Sequence, residues 1–353
     1  MNQIKGIAGI LILVVLAPAL LLAQSPTRVG TTSAEFLAFG YGSAGSSLGD
    51  AYVSMVNDVS AIYWNPAGLG FMQRSEAQFT YQPWIVDISS EFAGIGVVVP
   101  GIGTFGLGMV HANYGEMDVT TVTDQEGTGE KFTADEYALS LSFGRQLTNW
   151  FAFGASAKYI NSKIWHMNAS AAALDLGVIV NTKFFSPTGQ REDGMRIGMS
   201  ISNYGTRMKY DGLDAINPID ILPNESGNFA DASGQFRFNE WELPLIFRIG
   251  VSINAFKTDN HKLSVAVDAL HPNNSAEYVN IGTEYELSVP AMGKFYLRGG
   301  YKGLWLDQSE YGLALGLGFI NYISTNFALK IDYGYRDLGI LGKIQSYTIG
   351  FMF

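Results

Sequence analysis

The stretch FALKIDYGYR, residues Phe327 to Arg336, alternates two kinds of side chain without a break. Its odd positions hold Phe, Leu, Ile, Tyr and Tyr, and its even positions hold Ala, Lys, Asp, Gly and Arg. Successive side chains of a β-strand point to opposite faces of the sheet. This period of two therefore predicts a strand with one large apolar face and one small or charged face.

The same alternation recurs along the chain and predicts fourteen strands. Phe151–Tyr159 and Leu313–Phe319 repeat it, with mostly small residues between the large apolar ones. The predicted strands are Glu76–Tyr81, Phe92–Val99, Thr104–His111, Glu136–Arg145, Trp150–Ile160, Ala172–Thr182, Arg196–Tyr204, Leu245–Ala255, Lys262–Leu270, Tyr278–Leu287, Lys294–Gly303, Tyr311–Ile320, Phe327–Arg336 and Gln345–Phe353.

The connections between these strands alternate in length. Those after odd-numbered strands include the two longest, Ala112–Asp135 and Gly205–Pro244, whereas those after even-numbered strands are mostly tight, as at Pro100–Gly103 and Lys257–His261. An even strand count with short turns at one end and long loops at the other is typical of bacterial outer-membrane barrels. The pattern predicts an all-β fold, a 14-stranded antiparallel transmembrane β-barrel. A soluble β-sandwich or lipocalin-like barrel is the alternative.

Ten charged residues fall on the strand face opposite the large apolar side chains. A Lys or Arg that faces lipid at the bilayer midplane costs about 2–4 kcal/mol, so we expect these residues to face the lumen and form ion pairs. Glu284 and Glu286 share that face with Arg298 and Lys302, which favours structural ion pairs over an acid/base pair. The predicted lumen residues are Asp175, Arg248, Asp268, Glu284, Glu286, Arg298, Lys302, Lys330, Asp332 and Arg336.

Composition and charge exclude several kinds of protein. The chain has no cysteine, which excludes disulfides, thiolate metal sites and cysteine nucleophiles. The formal net charge of -10 and the lack of a basic run argue against a nucleic-acid partner. The four histidines show no ligand spacing, and Gly101–Gly106 (GIGTFG) precedes a predicted strand instead of a helix. The sequence predicts no metal, no cofactor and no catalytic residues.

The first residues indicate export. Lys5 precedes an apolar run from Ile7 to Leu22, and Ala23 and Gln24 form a typical cleavage boundary of a secretory signal peptide. An uncleaved anchor helix is the alternative, but the run is shorter than the about 20 apolar residues of a span. We therefore predict a cleaved signal peptide (1–23), an N-terminal plug segment (24–74) and a barrel (75–353) in the bacterial outer membrane.

The predicted plug segment alternates poorly and contains SAIYWNPAGLG, Ser60 to Gly70. Irregular backbone in lipid leaves amides unpaired, so this segment should lie in the barrel or cover one end of it. Asn65 can hold a turn by bonding its own backbone, and Gly68 and Gly70 permit close approach to the barrel wall. A linker into the first strand is the alternative. The predicted plug motif, whose aromatic residues suit a boundary between water and apolar groups, is Tyr63, Trp64, Asn65, Pro66, Ala67 and Gly68.

Two N-terminal stretches carry a family resemblance. Gly40–Tyr52 (GYGSAGSSLGDAY) and Asp58–Leu69 (DVSAIYWNPAGL) resemble the N-terminal signature of the PorV/PorQ family, itself similar to FadL-type outer-membrane transporters. The resemblance implies a 14-stranded barrel with Asn65, Pro66 and Ala67 in a plug loop, and no catalytic set. Four later stretches resemble the C-terminal half of that family: Val267–Asn274, Ile281–Tyr285, Leu297–Tyr301 and Ile331–Tyr335.

The resemblance also implies a role in type IX secretion. PorV-like barrels bind C-terminal domains of exported cargo at a SprA-like translocon and carry them to a PorU-like sortase, and PorQ-like barrels work in the attachment complex with a PorZ-like partner. The alternatives are a FadL-like transporter of long-chain fatty acids or other small hydrophobic molecules, and a general diffusion barrel.

The long connection Gly205–Pro244 is too apolar for a simple solvated loop. We expect it to dock a protein partner outside the outer-membrane lipid; a lid packed on the barrel mouth is the alternative. The candidate docking residues are Tyr210, Ile219, Ile221, Leu222 and Phe229.

Overall fold

The computed structural model describes residues 28–225, 231–290, 292–307 and 309–353. These residues form a closed antiparallel barrel of fourteen strands, which confirms the predicted fold class. The predicted signal peptide, residues 1–23, lies outside the described residues. The barrel strands are β1 (Glu76–Pro83), β2 (Ser89–Val99), β3 (Gly103–Asp118), β4 (Lys131–Thr148), β5 (Phe151–Ile164), β6 (Met167–Asn181), β7 (Arg196–Gly205), β11 (Ile246–Lys257), β12 (His261–Pro272), β13 (Tyr278–Val289), β14 (Gly293–Leu304), β15 (Leu313–Tyr322), β16 (Ala328–Asp337) and β17 (Lys343–Met352).

Three short strands lie in the connection between β7 and β11: β8 (Asp211–Gly212), β9 (Ile216–Ile219) and β10 (Ala232–Gln235). The first and last barrel strands, β1 and β17, pair with each other, with Phe79 opposite Ile349. This pairing closes the barrel, so its wall has no open sheet edge. No helix in the described part of the chain is long and apolar enough to span a membrane.

The wall has the two faces that the alternation predicted. On β16, Lys330, Asp332 and Arg336 are buried, whereas Ile331 between them is 47% exposed. All ten predicted lumen residues are buried, and exposed leucine, isoleucine and phenylalanine side chains cover the outside of the barrel. A soluble barrel would have its apolar face inside, so this arrangement contradicts the soluble alternative.

Two connections at the long-loop end of the barrel are shorter than predicted. β3 continues to Asp118 and β4 begins at Lys131, so the predicted loop Ala112–Asp135 is largely a paired hairpin with a connection at residues 119–130. β5 and β6 are joined by only Trp165 and His166. The strands β3–β6 continue past the lipid bilayer, where a strand does not need an apolar outer face. Their ends therefore lack the alternation from which the strands were predicted.

An inner segment, residues 33–72, lies inside the barrel. It contains a short 3₁₀ turn (Glu35–Ala38), two short α-helices (Ser43–Ser47 and Ala61–Trp64) and a second 3₁₀ turn (Pro66–Phe71). Its apolar side chains form a buried core within the lumen, including Phe36, Leu37, Leu48, Val56, Val59, Ile62, Trp64 and Leu69.

Inward-facing glycines let this segment approach the wall. Gly154 of β5 and Gly177 of β6 lie opposite each other. A Cβ on Gly154 would overlap the backbone of Pro66, and a Cβ on Gly177 would overlap the side-chain oxygen of Asn65. Added Cβ atoms would also meet the inner segment within 3.5 Å at Gly94, Gly96, Gly106, Gly108, Gly144, Gly198, Gly250, Gly282, Gly300, Gly316 and Gly334.

Candidate functional site

The Asn65 side chain stabilises a local turn and also bonds to two other parts of the molecule. Its Oδ1 accepts a hydrogen bond from the Ala67 N–H at 3.1 Å, as expected for a turn-forming asparagine. Its Nδ2 donates to the carbonyl oxygens of Val53 at 2.9 Å and of Val178 in β6 at 3.3 Å. Because Asn65 is fully buried, these bonds replace its contacts with water and connect the inner segment to the wall.

Tyr63 and Trp64 lie in the core of the inner segment, which differs from their predicted place at a boundary with water. Trp64 Nε1 donates to the Tyr41 carbonyl at 2.8 Å, and the Tyr63 hydroxyl donates to the Leu37 carbonyl at 3.0 Å. Both side chains are buried, so their polar tips bind backbone groups inside the protein.

Gly68 and Gly70 differ in what they approach. A Cβ on Gly70 would lie 2.8 Å from the Arg145 carbonyl carbon, so this glycine faces the wall as expected. A Cβ on Gly68 would instead meet Val56 and Ala61 of the inner segment at 2.8–2.9 Å. Gly68 thus permits close packing within the inner segment. The prediction that it lies against the barrel wall is wrong.

Two aspartates of the inner segment form ion pairs with the wall. Asp50 Oδ2 lies 2.7 Å from Lys302 Nζ, and its Oδ1 lies 2.5 Å from Arg336 Nη2. Asp58 lies 2.5 Å from Lys330 Nζ, which is also 3.2 Å from Glu76. Three cations that the alternation placed in the lumen therefore find their main partners on the segment that fills it.

The protonation state of Asp58 follows from its surroundings. Burial by itself raises the pKa of this carboxyl, but the Lys330 ammonium and hydrogen bonds from Ser60 outweigh burial and hold the pKa below its usual value. Asp58 is therefore a carboxylate at neutral pH, and Lys330 has a charged partner in the buried interior.

The wall also forms ion pairs with itself. Arg298 of β14 lies 2.7 Å from Glu284 on the neighbouring strand β13 and 2.5 Å from Asp332 on β16, which is separated from β14 by β15. Glu286 contacts Lys262 at 2.8 Å and Lys294 at 2.6 Å, and does not pair with Lys302. Lys302 turns to Asp50 because the inner segment brings that carboxylate within reach.

The other three predicted lumen residues lie near β6, β7 and β11. Asp175 pairs with Lys158 at 2.5 Å. Asp268 accepts a hydrogen bond from the Val53 N–H at 2.8 Å, and Arg248 donates to the Ser202 hydroxyl at 2.9 Å. Each predicted lumen residue thus has a polar partner in the barrel interior.

Sequence reasoning missed several charged residues of this interior, among them Lys158, Glu76, Asp50 and Asp58. Lys158 lies on the small face of an alternating strand and Glu76 begins one, so the pattern that identified the other ten could have identified these two. Asp50 and Asp58 lie where the chain does not alternate, and no local signal assigns them partners near Lys302, Arg336 and Lys330. Among the described residues, no group of three or more His, Asp or Glu side chains is arranged to hold a metal ion.

The outer loop, by which we mean the described residues 206–225 and 231–245, lies at the long-loop end of the barrel. Tyr210 is partly buried and bonds the Ser162 hydroxyl at 2.6 Å, so it faces the barrel and not a partner. Ile219, Ile221 and Leu222 are exposed, by 44%, 61% and 39%. Phe229 lies outside the described residues.

Comparison with known proteins identifies the family. A family model described as type IX secretion system protein PorV matches residues 22–229, more than half of the chain. The chain belongs to the PorV family. No curated protein sequence matches it. Membership in the PorV family and the barrel fold indicate the bacterial outer membrane as the location of the protein.

The PorV-family fold is similar to that of FadL-like barrels of known structure. A Pseudomonas aeruginosa FadL homologue has a TM-score of 0.53 and 12% identity, over 88% of this chain and 97% of that one. The Ralstonia pickettii toluene transporter TbuX has a TM-score of 0.53 and 12% identity, over 89% and 97% of the two chains. The Pseudomonas putida toluene transporter TodX has a TM-score of 0.54 and 10% identity, over 89% and 96%. At these identities the likeness concerns the fold.

Proposed function

We propose that this PorV-family barrel is a non-enzymatic docking and shuttle protein that binds C-terminal domains of secreted cargo, and components of the type IX machinery, on its outward face. The family match supports a place in type IX secretion. The observation that carries the proposal is that the inner segment fills the lumen while the outer loop exposes apolar side chains. Because the lumen is filled, a partner would bind to the loops.

The inner segment acts as the plug in this proposal. Two ion-paired aspartates and a close fit against Gly154 and Gly177 attach it to the wall. Moving it outward would separate buried charges from their partners, which is costly in a medium of low dielectric. A plug held in this way suits a barrel whose partners bind at one end.

Transport of a small hydrophobic molecule is the second candidate, because the similar barrels TbuX and TodX are toluene transporters. A transporter of this kind needs an apolar passage. The interior here contains ion pairs at Arg298, Lys302 and Lys330, so it supports this candidate less well than docking.

Co-purification in mild detergent, with both proteins and lipids identified, tests the proposal. The wild type should capture a translocon component or a cargo C-terminal domain. Replacing Ile219, Ile221 and Leu222 by serine should reduce that capture while the barrel stays folded. The matched control replaces the exposed Ile340 and Leu341 of another connection at the same end by serine, and should capture as the wild type does.

Two results would contradict docking at the outer loop. Recovery of a long-chain lipid or another small hydrophobic molecule with no secretion component would favour transport. Equal capture by the wild type and the outer-loop variant would show that the docking surface lies elsewhere on the barrel.

A further inference from the structure

The connections at the outward end of the barrel carry a charge imbalance as large as that of the whole chain. The full chain has a formal net charge of -10. The connections that join barrel strands at this end hold only three Lys or Arg residues: Arg207, Lys209 and Arg237. Their fourteen acidic residues are Asp87, Asp124, Glu126, Glu130, Asp211, Asp214, Asp220, Glu225, Asp231, Glu240, Glu242, Glu277, Asp307 and Glu310.

The outer loop holds half of these carboxylates, and few are neutralised. Glu242 lies 3.0 Å from Arg207 and 3.5 Å from Arg28, and Asp214 lies 2.9 Å from His166. Within the described ranges, the remaining acidic residues of the outer loop make no ion pair: Asp211, Asp220, Glu225, Asp231 and Glu240.

The same loop presents large apolar side chains to solvent, among them Leu213, Ile216, Ile219, Ile221, Leu222, Phe236, Phe238 and Trp241. Exposed apolar groups that cluster among charged ones are typical of a binding surface. The negative charge selects what binds, because electrostatic complementarity favours a cationic partner and repels an anionic one.

The base of the outer loop is anchored to the barrel wall by backbone pairing, which fixes where this surface lies. β8 pairs with β6, and Met208 exchanges backbone hydrogen bonds of 2.8 Å with Trp241. Gln235 Nε2 also donates to Asp211 Oδ1 at 2.6 Å. An anchored base reduces the conformational entropy that the loop loses on binding.

From this combination, we propose that the outer loop binds a cationic amphipathic stretch of polypeptide, in which Lys or Arg side chains flank large apolar ones. This inference rests on the proposed docking function and names the chemistry of the partner. The apolar partner side chains cover residues such as Ile221 and Phe236, and the basic ones approach Asp220, Glu225 and Glu240. A lipid surface fits less well, because the same carboxylates would approach lipid phosphates.

The test uses the full chain in lipid nanodiscs and three synthetic peptides of equal length, with empty nanodiscs as the blank. One peptide alternates Lys with Ile, the second alternates Glu with Ile, and the third alternates Lys with Ser. Binding is followed by fluorescence anisotropy of the labelled peptide. We expect the Lys–Ile peptide to bind at least about 10-fold more tightly than either of the others, and to weaken as salt screens the charges.

Two charge variants locate the effect. The first combines Asp220→Asn, Glu225→Gln, Asp231→Asn and Glu240→Gln, and should weaken binding of the Lys–Ile peptide about 10-fold. The matched control removes the same number of charges from other outward connections, through Asp87→Asn, Asp124→Asn, Glu126→Gln and Glu130→Gln. It should change binding less than about twofold, because distant exposed charges are screened.

Three results would overturn the inference. They are equal binding of the Lys–Ile and Glu–Ile peptides, equal weakening by the two charge variants, and quenching by brominated lipid of a fluorophore attached to an Ile221→Cys variant of this cysteine-free chain, since the last would place the loop on the membrane. The proposed function is judged separately. If the outer-loop charge variant still captures secretion components as the wild type does, docking stands and the inference fails. If the wild type captures none, docking itself fails.

Discussion

In the lumen, Asp50 is buried between Lys302 and Arg336, whereas in the outer loop Asp220 and Glu225 face solvent and make no ion pair among the described residues. Apolar groups differ in the same way, because Trp64 is 1% exposed and Ile221 is 61% exposed. Acidic and apolar residues stabilise the fold in the lumen, where water is excluded. In the outer loop the same residue types are exposed to water and can bind a partner. Substitutions should therefore change stability in the first region and binding in the second.

The largest effect is expected from Asp50→Ala. This change leaves Lys302 and Arg336 buried without their shared carboxylate, and removing one partner of a buried ion pair costs about 3–5 kcal/mol. The free energy of unfolding in urea, measured in lipid vesicles, gives the value. Asp220→Ala is the control and should stay within about 0.5 kcal/mol of the wild type. A similar small loss for both would mean that the plug ion pairs do not hold the barrel together.

Gly154→Ala should come next. The new Cβ would overlap the backbone of Pro66, and forcing extra volume into a packed interior costs about 1–3 kcal/mol. Gly299→Ala on β14 is the matched control, because its nearest neighbour would be Leu315 at an ordinary 3.6 Å. Thermal midpoints in detergent should fall for the first variant only. If both fell equally, the cost would belong to the strand and not to contact with the inner segment.

Asp193→Asn tests a case between the two regions. Asp193 lies in the connection between β6 and β7, with Lys257 at 2.5 Å. Burial raises the pKa of Asp193, but hydrogen bonds from Lys257 and Thr188 outweigh burial and hold the pKa below its usual value. Because that pair is partly exposed, its loss at pH 7 should cost less than about 1 kcal/mol.

The pH dependence of this pair has a definite sign. A carboxyl with a lowered pKa stabilises the protein fully above the usual value of about 3.9, and the contribution is lost as the pH falls through the folded value. Urea unfolding should therefore separate the wild type from Asp193→Asn at neutral pH and bring them together in strong acid. A difference that grew in acid would contradict the assignment.

The smallest effect on stability is expected from Ile221→Ser. This exposed side chain contributes little to the fold, so the free energy of unfolding should change by less than about 0.5 kcal/mol. Ile62→Ser, at a buried position of the inner segment, is the contrasting variant and should destabilise clearly. Urea unfolding of both variants gives the ranking, and a larger loss for Ile221 would mean that the outer loop packs as a lid.

The fourteen strands and the side that each presents to the lumen were readable from the sequence. Because one face of the wall meets lipid and the other meets ion pairs, apolar and polar side chains alternate along each strand, as between Phe327 and Arg336. This alternation can be seen within a short stretch of sequence. The same reasoning gave the lumen position of Lys330 without its partner. Alternation identifies only the part of a strand that lies in lipid, so it did not predict the ends of β3–β6.

The alternation of single residues therefore determined the barrel, its strand count and its inner face. Only the tertiary structure decided that Asp50 meets Arg336, 286 positions away, that Asn65 fits against Gly177, and that Tyr210 turns toward the barrel. These contacts join segments far apart in the chain, and they depend on how the inner segment and the outer loop close against a finished wall. No periodic pattern predicts these contacts, because neither the inner segment nor the outer loop has one face that lies against lipid or water along its whole length.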